Sequence, residues 1–364
     1  MFFKKLNGIF LSFLGLIFSI LLIRVISVFT SFPDNLYPYI QSFFSRILFG
    51  ISNKIPFSLG DVFYSGLGLF IILFLICIFF IIRRKNWNVL KKMTARMIWF
   101  VVVFYWIFHL VWGFNYYKKP IKDDYNIQNI SLDELKNLAE MYFNRSIELR
   151  KLVSEDEKGV FKIELGCNYL IQEIQNSAEK IKAKYPEIRF INSTPPNLKK
   201  SLYSTPFSYM GVAGYYVPFT TEAQYNSNMP DTKLLFTQLH ETAHQWGFAP
   251  ENEANFVGFL LGKESGHADL NYASNYRAMR SILNRILLED PVYVQIMLIR
   301  YSDGMKRDRK YEREINEKYA GKGDDAFSLM NEAFLRINNQ EGLESYSRFV
   351  ELLVGFNRKY SKSE

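Results

Sequence analysis

Apolar residues are concentrated in three long runs before about residue 115, and polar residues are interleaved with apolar ones throughout the remainder. The runs are GIFLSFLGLIFSILLIRVISVF (8–29), LGLFIILFLICIFFII (67–82, extending back to about Leu59) and MIWFVVVFYWIFHLVWGFNYY (97–117). Each is long enough for a helix that crosses a bilayer, which takes roughly 20 residues. Arg24 lies near the end of the first run, where a long side chain reaches the interface. Trp and Tyr at the end of the third run suit the same boundary. Lys4 and Lys5 ahead of the first run resemble a signal peptide, but no small-residue cleavage site follows and two further runs do, so the run reads as an anchor. Between the first two runs, LYPYIQSFFSRILFG is amphipathic. It fits a helix on the outer membrane surface or a helix of the soluble core, and the pattern does not separate the two.

Beyond residue 117 the periods shorten. Ser131-Leu-Asp-Glu134 forms a capping box and predicts a helix to about Leu152, and a second helix fits 167–185. Residues 192–226 are rich in Pro, Gly, Ser, Thr and Tyr and break helical periodicity. They predict short strands, including GYYVPFT (214–220), where Pro218 argues for a sheet edge because it cannot donate to a ladder. Helices are predicted at about 232–246, 251–263, 268–287, 291–301, 306–320, 327–338 and 341–356. The expected fold class is therefore α+β and mostly helical: a membrane domain with three transmembrane helices (1–117), then a soluble domain with a small sheet (118–364).

Charge sets the orientation. Residues 1–115 carry a net charge of +9 and residues 116–364 carry −1, so the basic character belongs to the membrane part and gives no ground for nucleic-acid binding. Six Lys/Arg lie in RRKNWNVLKKMTAR (83–96), which the positive-inside rule places in the cytoplasm together with the N-terminus. Three spans then put the soluble domain outside the cytoplasm. Cys77 and Cys167 provide no disulfide framework.

The chain has four histidines, and two stand four residues apart in LLFTQLHETAHQWGFAPENEANF (234–256). On a helix His240 and His244 share a face, and Glu241 sits beside them. This HExxH arrangement offers two zinc ligands and a carboxylate that can take a proton from metal-activated water. In a chain of this composition chance yields it about 0.3% of the time. A catalytic site wants a third ligand and an open position. Glu251 and Glu253 both follow the turn and lie about 200° apart on a helix, so only one can face the metal. Glu253 lies on the apolar stripe of Phe256, Val257, Leu260 and Leu261, where a buried carboxylate needs a strong partner, and it is the expected ligand. Glu251 shares a face with Ala254, Asn255, Gly258 and Gly262, and it reads as an exposed helix-start residue. The small residues every fourth position would let a neighbouring helix approach closely.

HETAH followed by ENEANF resembles the gluzincin group of zinc metallopeptidases, whose third ligand is a glutamate on the next helix. The likeness is strongest to an uncharacterised family of bacterial membrane proteins with three N-terminal spans and a HETAHQxGF-type motif. The local motif covers about 234–262. By that resemblance His240, His244 and Glu253 would hold Zn2+ and Glu241 would be the base. The gap to the third ligand is shorter than in thermolysin-like enzymes, so details of their clefts do not carry over. The strand before the motif has the position of the zincin edge strand, where Tyr215 and Tyr216 could contact extended peptide. His267, Tyr272 and Tyr276 are the candidates for an oxyanion donor.

These readings converge on a multi-pass protein of a bacterial cell (inner) membrane, in contact with the lipid bilayer. Its zincin-like extracytoplasmic domain would hydrolyse a peptide or protein substrate. The rival is a sensor or scaffold that binds zinc for stability, against which Glu241 argues, since a structural site needs no base. The topology is directly testable. A reporter active only outside the cytoplasm should be active when fused after residue 130 and silent when fused near residue 90. The reverse pattern would place the motif in the cytosol.

Overall fold

The computed structural model describes residues 8–29, 31–189, 194–320 and 345–361. Three helices are long and apolar enough to cross a membrane: Gly8–Phe29, Leu59–Arg83 and Trp87–Val111. The first packs on the third, and Gly15 makes this close. A Cβ there would meet the Trp99 ring at 2.8 Å. Small residues at such contacts let backbones approach where no hydrophobic force drives association. Ser12 and Ser27, on the buried side of the first helix, return their hydroxyl protons to the carbonyls of Ile9 and Ile23.

The amphipathic stretch forms the helix Tyr37–Ser52, whose faces are inverted relative to a surface helix in water. Gln41, Ser42, Ser45 and Ser52 are buried, while Tyr39, Phe43, Ile47 and Ile51 form an exposed row at every fourth position. Its inner side packs beside the end of the third apolar helix, with Phe44 and Leu48 against Val111, Trp112 and Ala249.

The remainder is helical around one small sheet. Strands β1 (Leu198–Lys200), β2 (Gly214–Val217) and β3 (Glu222–Tyr225) lie in the order β1-β3-β2, with β1 parallel and β2 antiparallel to β3. The tyrosine-rich strand is thus an edge strand, and it is shorter than expected because Pro218 falls in the turn after it. Ser131 caps the helix Leu132–Arg150 by accepting from the Glu134 amide. The core is built on the motif helix (Asp231–Gln245), the glutamate helix (Glu251–Lys263) and the long helix Ala268–Ile286, flanked by Cys167–Lys184 and Ser345–Tyr360. Helices Pro291–Ile299 and Asp303–Tyr319 match the periodicity, whereas the predicted helix 327–338 lies outside the described residues.

Buried carboxylates stitch the second apolar helix to the sheet. Glu222 is fully buried in β3 and accepts from the amides of Leu59 and Gly60 at 3.0 and 2.5 Å, so it satisfies two of the orphan N–H groups at that helix start. A side chain at position 60 would strike Gln224 and Val217 at 2.6 and 2.8 Å, which explains the glycine. The next residue, Asp61, accepts from Ser201, from the Leu202 amide and from the Tyr215 hydroxyl. The turn between β2 and β3 pushes Phe219 between the two membrane helices, against Phe63 on the second and Phe104 on the third.

Candidate metal centre

The motif helix is buried along Leu235, Leu239 and Ala243 and ends where Gly247 adopts φ +93°. That conformation favours glycine, and a Cβ would also meet Gln41 and Lys118 at 2.8 and 3.0 Å. The reversal at Gly247 brings the Phe248 carbonyl back beneath His244, whose Nδ1 lies 2.8 Å from it. A proton on Nδ1 donates to this carbonyl and leaves the Nε2 lone pair facing outward. That hydrogen bond is the usual way a protein fixes the tautomer of a metal-binding imidazole. His240 is one turn earlier, its ring 4.6 Å from that of His244, and its Nδ1 has no such partner.

Both Nε2 atoms face Glu251. His240 Nε2 is 3.3 Å and His244 Nε2 is 3.4 Å from the two oxygens of its carboxylate. A ligand atom from each of the three residues lies within 4.8 Å of the others. Ligands about 2.1 Å from a tetrahedral zinc would stand about 3.4 Å apart, so the two imidazole–carboxylate distances match that spacing and the donor types suit the ion.

The structure therefore sets Glu251, and not the expected Glu253, opposite the two imidazoles. Glu253 turns away and accepts from the Ile121 amide at 2.7 Å, close to Lys118. Burial outweighs these partners and raises its pKa to about 7, while burial also lowers Lys118 to about 8. The apolar stripe misled because residues 253–262 are buried on every side of the glutamate helix. What selects the face is close approach. A Cβ at Gly258 would meet His240 N at 3.1 Å and Cα at 3.2 Å, so the face with Ala254 and Gly258 lies on the motif helix, and Glu251 heads that face. At Gly262 a Cβ would strike Ser274 of the next long helix.

Electrostatics follow from burial. It disfavours a charged His240, and the nearby Arg277 adds to this. In His244 burial is outweighed by the Glu251 carboxylate, which raises the pKa to about 9. Glu251 is also desolvated, yet the imidazoles hold it well below the usual carboxylate range. The three side chains thus stabilise one positive charge between them. Glu241 is different in kind. It is buried beside the cluster, Oε2 lacks a hydrogen-bond partner, and burial raises its pKa to about 8. Its Oε1 lies where Gly214 of β2 has no side chain, since a Cβ there would sit 2.7 Å from that oxygen.

A cavity of about 1270 Å³ opens onto Glu241 and the cluster and includes Gly214, Tyr215 and Tyr216 of the edge strand. The Tyr215 hydroxyl is engaged by Asp61 and Gln224, and the Tyr216 ring packs on Trp112 at 4.8 Å. Of the three oxyanion candidates only Tyr276 lines this cavity, and its buried hydroxyl has no partner. Tyr272 is instead part of a structural network, donating to Asp308, which also pairs with Arg150. His267 caps its own helix by accepting from the Asp269 amide. Two lining residues carried no sequence signal for the site: Tyr116, just past the helix Trp87–Val111, and Arg277, one position after Tyr276.

The chain belongs to the family described as "Protein of unknown function (DUF3810)", whose model matches residues 32–354. The match takes in the second and third apolar helices as well as the helical domain. No curated protein and no solved structure matches the chain.

The geometry predicts a particular pattern of metal binding. Full-length protein in detergent should bind about one zinc per chain, more tightly as pH rises towards 9, because His244 must give up its proton. His240→Ala, His244→Ala and Glu251→Ala should each lose the metal, and Glu253→Ala should keep it. Metal analysis of the purified variants decides between the glutamates. Loss with Glu253→Ala and retention with Glu251→Ala would overturn the assignment.

Proposed function

We propose that this membrane-anchored member of the family is a zinc-dependent peptidase with its site on the extracytoplasmic side. The observation that carries the reading is Glu241, a buried carboxylate with one unpaired oxygen next to the donor cluster but outside it. A structural site has no use for such a group. His240, His244 and Glu251 would hold the ion, which when bound supplies Lewis acidity that polarises a carbonyl and acidifies water.

The chain's own residues account for the rest. Burial gives Glu241 a high proton affinity, and a neighbouring cation would bring its pKa down towards the operating range of a general base. Glu241 takes the proton from the attacking water as its oxygen bonds to the peptide carbon. It returns that proton to the amine as the C–N bond breaks. Among the described residues strand β2 pairs only with β3, and it runs past Glu241, so its other edge can hold an extended peptide by main-chain hydrogen bonds. Tyr276, whose buried hydroxyl has no partner, lines the same cavity and would donate to the developing oxyanion. Orientation rests on the charge of loop 83–96, and the outward apolar row of helix Tyr37–Ser52 suits the outer membrane surface.

Glu241→Gln keeps the shape and removes only the proton acceptor. The variant should bind zinc and unfold thermally as the parent does, yet lose about 10²–10⁴ in peptide-cleaving rate. A peptide library, or comparison of membrane-associated peptides from parent and variant strains, measures this. A Glu241→Gln strain indistinguishable from the parent in every phenotype of a deletion would favour the scaffold.

A further inference from the structure

The cavity at the cluster does not stop at the soluble domain. It continues between the second and third apolar helices, where Leu67, Val101, Phe104 and Phe108 form its walls. Counting from the helix ends at Leu59 and Val111 at 1.5 Å per residue, the deepest of these, Leu67 and Val101, lie about 12 and 15 Å into the apolar segments. That depth is about one leaflet of a hydrocarbon core roughly 30 Å thick. Phe219 wedges between Phe63 and Phe104, so the two helices are held apart by the edge-strand turn. Val101 is 42% exposed on this lining, and lipid hydrocarbon is what surrounds such a position in a bilayer. The upper end is polar, with Glu241, the cluster, Arg277 and Asn316.

We propose that the substrate is a lipid-anchored peptide. Its alkyl chain lies between the two helices in the outer leaflet, and the attached peptide lies along the edge strand at Glu241. A spanning peptide helix is disfavoured by reach. It would run about 30 Å through the hydrocarbon core, whereas the walls of the cavity end about one leaflet in, at Leu67 and Val101. The proposal rests on the peptidase reading for what is cut, but the binding of the anchor stands independently of it.

The test uses full-length Glu241→Gln protein in nanodiscs of phosphatidylethanolamine and phosphatidylglycerol. The probe is an N-palmitoyl peptide with a diazirine in its acyl chain, and the labelled residues are mapped by mass spectrometry. Labelling should fall on 63–70 and 100–108, be competed by unlabelled palmitoyl peptide but not by the same peptide without palmitate, and drop roughly tenfold in Val101→Trp or Leu67→Trp. Thermal unfolding identifies whichever of the two Trp variants keeps its fold. A phospholipid bearing the same diazirine distinguishes the anchor of a substrate from a bilayer lipid. If it labels the site equally and palmitoyl peptide does not compete, the proposal is overturned. Labelling unchanged in a folded Trp variant overturns it too. The same labelling in His240→Ala protein supports the anchor site whatever the zinc measurements give, so failure of the peptidase reading remains separate.

Discussion

At Gly258 the glutamate helix comes within van der Waals reach of the main chain of the motif helix at His240. A side chain there would force the two main chains apart by a few tenths of an ångström, and the rest of the site depends on the approach. The approach sets the first residue of the glutamate helix opposite both imidazoles, which Nε2-to-carboxylate distances of 3.3 and 3.4 Å record. Glu251 is well suited to the position. At a helix start its charge is favoured by the dipole, and no intrahelical contact competes for its oxygens. A methyl group at 258 would shift the helices by a few tenths of an ångström and move Glu251 relative to both imidazoles.

A second constraint ties this cluster to the membrane. The second apolar helix begins on the Glu222 carboxylate of the sheet, and the third ends with the Trp112 ring 6.1 Å from His244. The strand that borders Glu241 is therefore the element whose turn inserts Phe219 between those helices. Cluster, edge strand and membrane helices form one mechanical unit, and the family match through 32–354 treats them together. In such an arrangement the soluble part is incomplete without the helices, because Leu59, Gly60 and Asp61 fill its polar network.

Much of this was legible in the residues. Three apolar runs of spanning length became three helices. Ser131 and Glu134 marked a helix start, Pro218 marked the edge strand, and HETAH marked the face with His240 and His244. The expectation that Glu253 faces the imidazoles failed for a physical reason. Hydrophobic periodicity identifies the buried face only when another face is exposed, and residues 253–262 have none. The informative signal was the spacing of Ala254, Gly258 and Gly262, since small residues report where backbones touch. Tyr276 was recognisable as a candidate, but nothing local separated it from Tyr272, because the partner that occupies Tyr272 is Asp308, distant in sequence. Tyr116 and Arg277 reach the cavity through tertiary packing alone. The continuation of the cavity between the second and third apolar helices depends on the position of Phe219, which no periodicity encodes.

The central claim is that His240, His244 and Glu251 form an open metal site rather than a closed structural one. X-ray absorption at the zinc edge on the full-length, zinc-loaded protein addresses this directly. The account predicts four light scatterers at about 2.0–2.2 Å. Two should be imidazoles, and one should be an oxygen lost in Glu251→Ala but unaffected in Glu253→Ala. The fourth should be an exchangeable oxygen that added azide displaces. Sulfur in the coordination shell, a third imidazole, or a shell that azide leaves unchanged would contradict it.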